Sequence, residues 1–378
     1  MIWLAAAALL AWLVLIFGRG MFWLGRENDR RAIAGPAVWP DVTIMVPARD
    51  EAETIAITVQ ALLGQDYPGR LALWVVDDRS SDGTGGRAHA AGQGDARLHV
   101  VTGRARAAGW TGKLWALQQG LEAARPTTPY LLFTDADIRH APDSLRRLVA
   151  RAEGDGLALT SLMAKLHCRS AAEAWFIPAF IYFFQMLYPF RWVNNSRARM
   201  AAAAGGCVLL RREAFEAAGG LAGIRGAMID DCALAALVKH HRPGTRIWLG
   251  LTEHVVSLRA APDLTPIRRM VARTAYAQLR YNPLFLLGML LALSLIFVVP
   301  PALAILGQGA ARFLGLLAWG CMALSFAPML RFYRLSPWRG FALPAIACFY
   351  MLFTIESAIA QHRGRGGMWK GEAGPSPL

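Results

Sequence analysis

Charge is absent from 2–18 and nearly so from 283–330, and between those stretches apolar and polar positions alternate in short blocks. Residues 2–18 carry no charge, Met21-Phe-Trp-Leu24 continues the apolar character, and Arg19, Arg26, Arg30 and Arg31 follow. A cleaved signal peptide carries its positive charge before the apolar run; here the charge comes after it, so 1–25 reads as an uncleaved span whose C-terminal end is cytoplasmic. From 283 to 330 the one charged residue is Arg312. That length suits two spans of about 20 residues, with a turn expected at Gly307-Gln-Gly-Ala-Ala-Arg312. A third run, 340–355, reaches Gln361 if it includes Glu356, so 283–361 holds two or three transmembrane helices. Arg331, Arg334 and Arg339 place the loop before it in the cytoplasm. Three spans would then put the basic tail (362–378) outside, against the same rule, unless the last run is re-entrant or interfacial. Buried core helices are the alternative for all these runs.

The middle of the chain changes period. Short β-rich runs at 42–46, 71–76, 98–101 and 130–134 alternate with helical spacing at 53–63 and 113–124. This order predicts an α/β domain, 40–258, with a mostly parallel sheet. Ligands of such sheets bind beyond the carboxyl ends of the strands.

Composition narrows the classes. Of 378 residues, 55% are hydrophobic and 17% charged, which excludes a disordered chain. The five cysteines are scattered without a Cys-x-x-Cys pair, so neither a disulfide framework nor a zinc knuckle is expected. The net charge of +14 concentrates in stretches that border apolar or aromatic segments. This favours an anionic membrane surface over nucleic acid, for which no binding motif is present. Residues 174–192 hold nine aromatics, one charge and two prolines. They read as an interfacial helix or re-entrant pair, with a buried core helix as the alternative. Residues 262–282, with Arg268, Arg269, Arg273 and Arg280, read as a second interfacial helix.

The polar residues past the strand ends are the candidate chemistry. They are Pro47-Ala-Arg-Asp-Glu51, Asp77-Asp-Arg-Ser-Ser-Asp-Gly-Thr84, Gly112-Lys113, Asp135-Ala-Asp137 and, far downstream, Asp230-Asp231. Each has an ordinary structural explanation, since aspartate favours turns and helix caps. Lys113 is less easily dismissed, being one of four lysines beside 36 arginines.

Together with Gly205-Gly-Cys-Val-Leu-Leu-Arg-Arg212, these motifs make residues 40–255 resemble the family 2 glycosyltransferases of GT-A fold. The 174–192 segment, Ile229-Asp-Asp-Cys232 and Thr274-Ala-Tyr-Ala-Gln-Leu-Arg-Tyr-Asn-Pro283 resemble more narrowly the bacterial hopene-associated group. The resemblance implies that Pro47, Ala48, Arg49 and Glu51 line the nucleotide, with Asp77 or Asp78 on the base. It implies Lys113 near the diphosphate and Asp135 on the ribose or the metal. Asp137 would hold Mg²⁺ or Mn²⁺, and Asp231 would be the catalytic base, with His254 as its competitor. Gly206, Asp230, Arg280 and Tyr281 would serve the acceptor or diphosphate. Two departures stand out. Asp230 replaces the usual glutamate, and Ala277-Gln-Leu-Arg-Tyr281 replaces Gln-x-x-Arg-Trp, which puts Gln278 in doubt and argues against a processive synthase. The implied enzyme is an inverting, metal-dependent transferase in the bacterial inner membrane, its catalytic domain cytoplasmic. It moves sugar from a nucleotide-diphosphate, expected to be a UDP-sugar, to a lipid hydroxyl, of a hopanoid or else a ceramide-like or polyprenyl lipid. A nucleotidyltransferase would show a Gly-rich loop where Pro47-Ala-Arg-Asp-Glu51 stands; an inactive scaffold is the non-enzyme alternative.

Overall fold

The computed structural model describes residues 1–364, so most of the expected basic tail lies outside the described residues. Two compact units are separable. One gathers 27–167 and 192–259; the other gathers 1–26, 168–191 and the described chain from 260 onward.

The first unit is built on one sheet of eight strands: β1 (Val42–Ala48), β2 (Leu71–Asp77), β3 (Leu98–Thr102), β4 (Tyr130–Thr134), β5 (Ile138–His140), β6 (Leu159–Lys165), β7 (Cys207–Arg211) and β8 (Ile247–Ser257). Their order is β3-β2-β1-β4-β7-β6-β8-β5. β1 pairs in parallel with β2 and β4, β2 with β3, and β6 with β8. β7 runs antiparallel to β4 and β6, as β5 does to β8. All of β1 is buried, which is why it reads as a continuous apolar run rather than an alternating one. Ile44, Val46, Leu73, Val75, Leu132 and Leu209 share the core. Helix Gly112–Ala124 lies close on β2: a Cβ on Gly120 would stand 2.8 Å from Val76 Cγ2. The absence of a side chain there lets the helix deliver Lys113, in its first turn, to the strand ends. Helix Asp230–His241 opens on two carboxylates and closes on Lys239, His240 and His241, matching its dipole at both ends.

The second unit is helical. Helices Pro283–Leu306, Gly309–Phe332 and Pro337–His362 are long and apolar enough to cross a membrane; Ile2–Gly18 and Ala171–Leu187 are shorter apolar helices. The break between the first two falls at Gly307 and Gln308, inside the expected turn. Segment 174–192 is one helix as far as Leu187, followed by the short Phe190–Val193. A Ser170–Glu173 capping box starts the longer helix.

Proline explains two of this unit's long-range bonds. Pro178 has no N–H for the carbonyl of Ala174, four residues back, and Arg339 Nη1 donates to that oxygen at 3.2 Å. Pro300 likewise leaves the carbonyl of Ile296, and the indole N–H of buried Trp12 donates to it at 2.6 Å. Arg19 donates to the carbonyls of Met186 and Leu187 at the end of helix Ala171–Leu187. Tyr182 and Ser325 share a buried hydrogen bond of 2.7 Å. Many large apolar side chains nevertheless stay exposed, among them Leu284, Leu291, Leu306, Phe313, Leu324 and Leu352.

Candidate active site

The loops after β1 and β2 are laced to each other. Asp50 and Arg79 both take positive φ, 49° and 56°, turning the chain sharply past each strand. Ser80 Oγ accepts from Asp50 N at 3.0 Å, Thr84 Oγ1 from Glu51 N at 2.8 Å, and Asp82 Oδ2 from Ala52 N at 2.9 Å. Asp50 returns the favour by accepting from Ser81 N at 2.8 Å. The polar run 77–84 is therefore in large part a brace for the first loop. Within it, buried Asp78 pairs with Arg49 at 3.3 Å, and Asp77 Oδ1 accepts from Ser80 N.

Beside this brace opens a small cleft lined in part by Pro47, Lys113, Asp135, Gly205, Asp230 and Asp231. Four charges meet there. Lys113 Nζ lies 2.7 Å from Asp135 Oδ1 and 3.3 Å from Asp230 Oδ2. Burial works against the Lys113 ammonium, but Asp135 and Asp230 outweigh it and raise its pKa. Burial pushes the Asp135 carboxyl up, against the pull of Lys113. Asp231 accepts from Gly205 N at 2.9 Å and from Cys232 N at 2.7 Å. Desolvation, helped by the Asp230 charge and opposed by Lys113, lifts its pKa to about 6. A carboxylate so placed is ionised at neutral pH yet basic enough to take a proton. Gly205 makes the crowding possible: a Cβ there would stand 3.1 Å from Lys113 Nζ and 3.4 Å from Asp231 Oδ2.

Asp137, whose charge is felt by Asp135, meets Glu51 on one arginine. Arg259 Nε lies 2.7 Å from Asp137 Oδ2 and Nη2 lies 2.5 Å from Glu51 Oε1. Burial opposes the Arg259 charge, and the two carboxylates more than compensate, raising its pKa. Among the described residues no three His, Cys, Asp or Glu side chains form a metal-holding cluster. The donor chemistry still suits Mg²⁺ or Mn²⁺. Such ions take oxygen, and commonly bind through one or two carboxylates plus substrate phosphates rather than in an all-protein cage.

The remaining expected residues are distributed as follows. Gly206 offers its carbonyl to Thr134 Oγ1 at 2.7 Å. His254 does not line the cleft; its Nδ1 lies 3.1 Å from Asp29 Oδ2. Arg280 and Tyr281 belong to the helical unit, where both take positive φ after helix Leu264–Gln278. Gln278 accepts from Tyr188 Oη at 2.8 Å.

Sequence reasoning passed over two residues of the α/β unit. Arg259 carried no signal, being one arginine among many. Lys239, near the end of its helix, is buried, and its Nζ donates to the carbonyls of Val193, Asn195 and Met200 at 2.6, 3.0 and 2.6 Å. It thereby ties helix Asp230–His241 to the segment that runs into Gly205.

Residues 43–219 match the family model described as Glycosyl transferase family 2. A beta-monoglucosyldiacylglycerol synthase of Synechocystis sp. is 38% identical over 117 residues, 31% of this chain and 24% of that protein. An N-acetylglucosaminyltransferase of Mesorhizobium japonicum is 28% identical over 140 residues, 36% of this chain and 31% of that protein. The matches thus span a third or less of these relatives' length. A mannosyltransferase from Pyrobaculum calidifontis, solved in complex with GDP-Man and Mn²⁺, aligns with a TM-score of 0.57 at 21% identity, covering 97% of this chain and 100% of that one. Residues 43–219, a little under half of the chain, thus carry the match to the family 2 glycosyl transferase model, and the likeness to the mannosyltransferase is one of GT-A-like fold.

Proposed function

We propose that this chain is a membrane-bound, inverting glycosyltransferase that moves a sugar from a nucleotide-diphosphate donor to a lipid hydroxyl. The observation that carries this is the cluster of Lys113, Asp135, Asp230 and Asp231 at the strand ends of a family 2 domain. Asp231 takes the proton of the acceptor hydroxyl, whose oxygen bonds to C1 of the sugar. The bond from C1 to the diphosphate oxygen breaks, its electron pair leaving with the diphosphate, and one displacement inverts C1. Lys113 offers its positive charge to the departing diphosphate. A Mg²⁺ or Mn²⁺ held by Asp135 and Asp137 would neutralise further charge on that leaving group. Pro47, Ala48, Arg49, Glu51 and Asp77 or Asp78 would receive the nucleotide. Gly206, Asp230, Arg280 and Tyr281 would serve the acceptor or diphosphate.

The lipid acceptor is supported by the exposed apolar surface of the helical unit and by the lipid product in the name of the Synechocystis relative. Three helices, Pro283–Leu306, Gly309–Phe332 and Pro337–His362, would cross the membrane. Helix Ile2–Gly18, at about 25 Å for its length, falls short of the roughly 30 Å hydrocarbon core. Local thinning of the bilayer would let it cross, with its Arg19 end at the cytoplasmic surface of the inner membrane. A UDP-sugar is the preferred donor; the narrower resemblance makes a hopanoid the preferred acceptor, and a diacylglycerol-like, ceramide-like or polyprenyl lipid comes next. Mass spectrometry of lipids from cells with and without the protein tests this. A glycolipid present only with the protein is expected; identical lipid profiles would overturn the assignment.

A further inference from the structure

Arg259 is placed like an occupant of the site rather than a part of its wall. Its side chain is 52% exposed, whereas the two carboxylates it bridges, Glu51 and Asp137, are 12% and 14% exposed. Those carboxylates come from different loops, one after β1 and one after β4. Two shielded negative charges brought together repel each other and lose hydration unless a cation joins them. The guanidinium does so with two nitrogens of its fork. The main chain beside it is fastened independently, since Leu258 N donates to Asp137 O at 2.7 Å. The side chain can therefore swing toward solvent while the segment stays in place.

We propose that Arg259 is a resident counter-cation for the acidic site, one that a divalent ion must displace. Resting on the metal-dependent transferase proposed above, this makes metal affinity a competition. The oxygens engaged by Arg259, Asp137 Oδ2 and Glu51 Oε1, are hard donors that a divalent ion would seek. Adjacent +1 and +2 charges would repel each other, so ion entry on the Asp137 side and Arg259 departure are linked. Once displaced, the guanidinium is free to meet an incoming phosphate, for which its planar fork is suited. In the resting enzyme the same pair keeps Glu51 and Asp137 from standing uncompensated.

Mn²⁺ binding, followed by electron paramagnetic resonance on the full chain in non-ionic detergent without nucleotide, tests the proposal. Arg259→Gln should bind Mn²⁺ about tenfold more tightly than wild type, as expected from releasing one charge-assisted hydrogen-bonded cation. Arg259→Lys should fall between, because an ammonium is a point charge that cannot fork across both carboxylates. Without Mn²⁺ the Gln variant should melt at a lower temperature than wild type, and saturating Mn²⁺ should raise its midpoint by more. Equal or weaker Mn²⁺ binding by Arg259→Gln overturns the competition and leaves the metal assignment standing. If the Gln variant shows no cooperative melt, Arg259→Lys decides, and affinity equal to wild type overturns the proposal. Wild type that binds no Mn²⁺, or that binds no better than Asp137→Asn, removes the metal site and this proposal with it.

Discussion

Replacing Asp231 by asparagine separates the base from its surroundings. Both carboxylate oxygens accept a backbone N–H, from Gly205 and from Cys232. An amide retains one acceptor and turns its NH₂ toward the other donor, so one bond is lost. A hydrogen bond to a charged group contributes about 1.5–3 kcal/mol. Losing the charge also removes the repulsion from Asp230 and the attraction to Lys113, which oppose each other, and relieves the desolvation of a buried carboxylate. A net loss of roughly 1–2 kcal/mol moves the melting midpoint by a few degrees, and the fold should survive. Rate should suffer far more, by about 10²–10⁴-fold, the usual effect of removing a general base. The pKa near 6 adds a pH signature. Asp231 is about nine-tenths ionised at pH 7 and falls to half near its pKa. Wild-type turnover should therefore drop on the acid side, approaching tenfold per pH unit below 6, because protonation disables the base. The residual rate of Asp231→Asn should lack that limb. The assay is transfer of radiolabel from nucleotide sugars into the organic extract of membranes across about pH 5 to 8, beside calorimetric donor binding. Near-normal turnover in Asp231→Asn, or an acid limb that persists in it, would refute the assignment. Donor binding lost as severely as turnover would move Asp231 into the nucleotide site.

Lys113→Ala should behave differently: it removes the cation shared by Asp135 and Asp230, so donor affinity and turnover should fall together, about tenfold or more. Calorimetry showing unchanged donor affinity would place Lys113 outside the diphosphate's reach. Lys239→Met should lower stability by roughly 2–4 kcal/mol, since it leaves buried carbonyls of the 193–200 segment without a donor. Thermal denaturation measures this directly, and a midpoint within a degree or so of wild type would show that those carbonyls find other partners.

The parts of this fold legible from sequence are those with a short period and a clear stop. Strands at 42, 71 and 130 declare themselves because each apolar run stops at proline or aspartate, the run at 98 stops at Thr102-Gly103, and the structure extends the four by at most two residues. The direction of β7 could not be read this way; a run of four apolar residues looks the same in either orientation, and its partners lie far away in the chain. The polar residues after the strands were visible, but not the division of labour among them. Ser80, Asp82 and Thr84 share the polar run of Asp77 and Asp78 and act here as braces between loops. Lys113 drew notice because lysine is rare in this chain. Arg259 and Lys239 did not, because each acquires its role only when distant segments close around it. The bonds from Trp12 and Arg339 to carbonyls freed by proline are of the same kind. Pro300 and Pro178 announce an unpaired carbonyl, but nothing local names the donor that will reach it.

The central claim, transfer of sugar from a nucleotide to a membrane lipid, is tested most directly with the purified full chain in nanodiscs of native lipid. Radiolabelled UDP-glucose, UDP-galactose, UDP-N-acetylglucosamine and GDP-mannose are supplied one at a time with Mn²⁺, and the products are partitioned between water and organic solvent. Label from one of these donors should enter the organic phase with wild type and fall to near background with Asp231→Asn. Label released only as a water-soluble sugar, or organic-phase label equal for the two proteins, would contradict the claim.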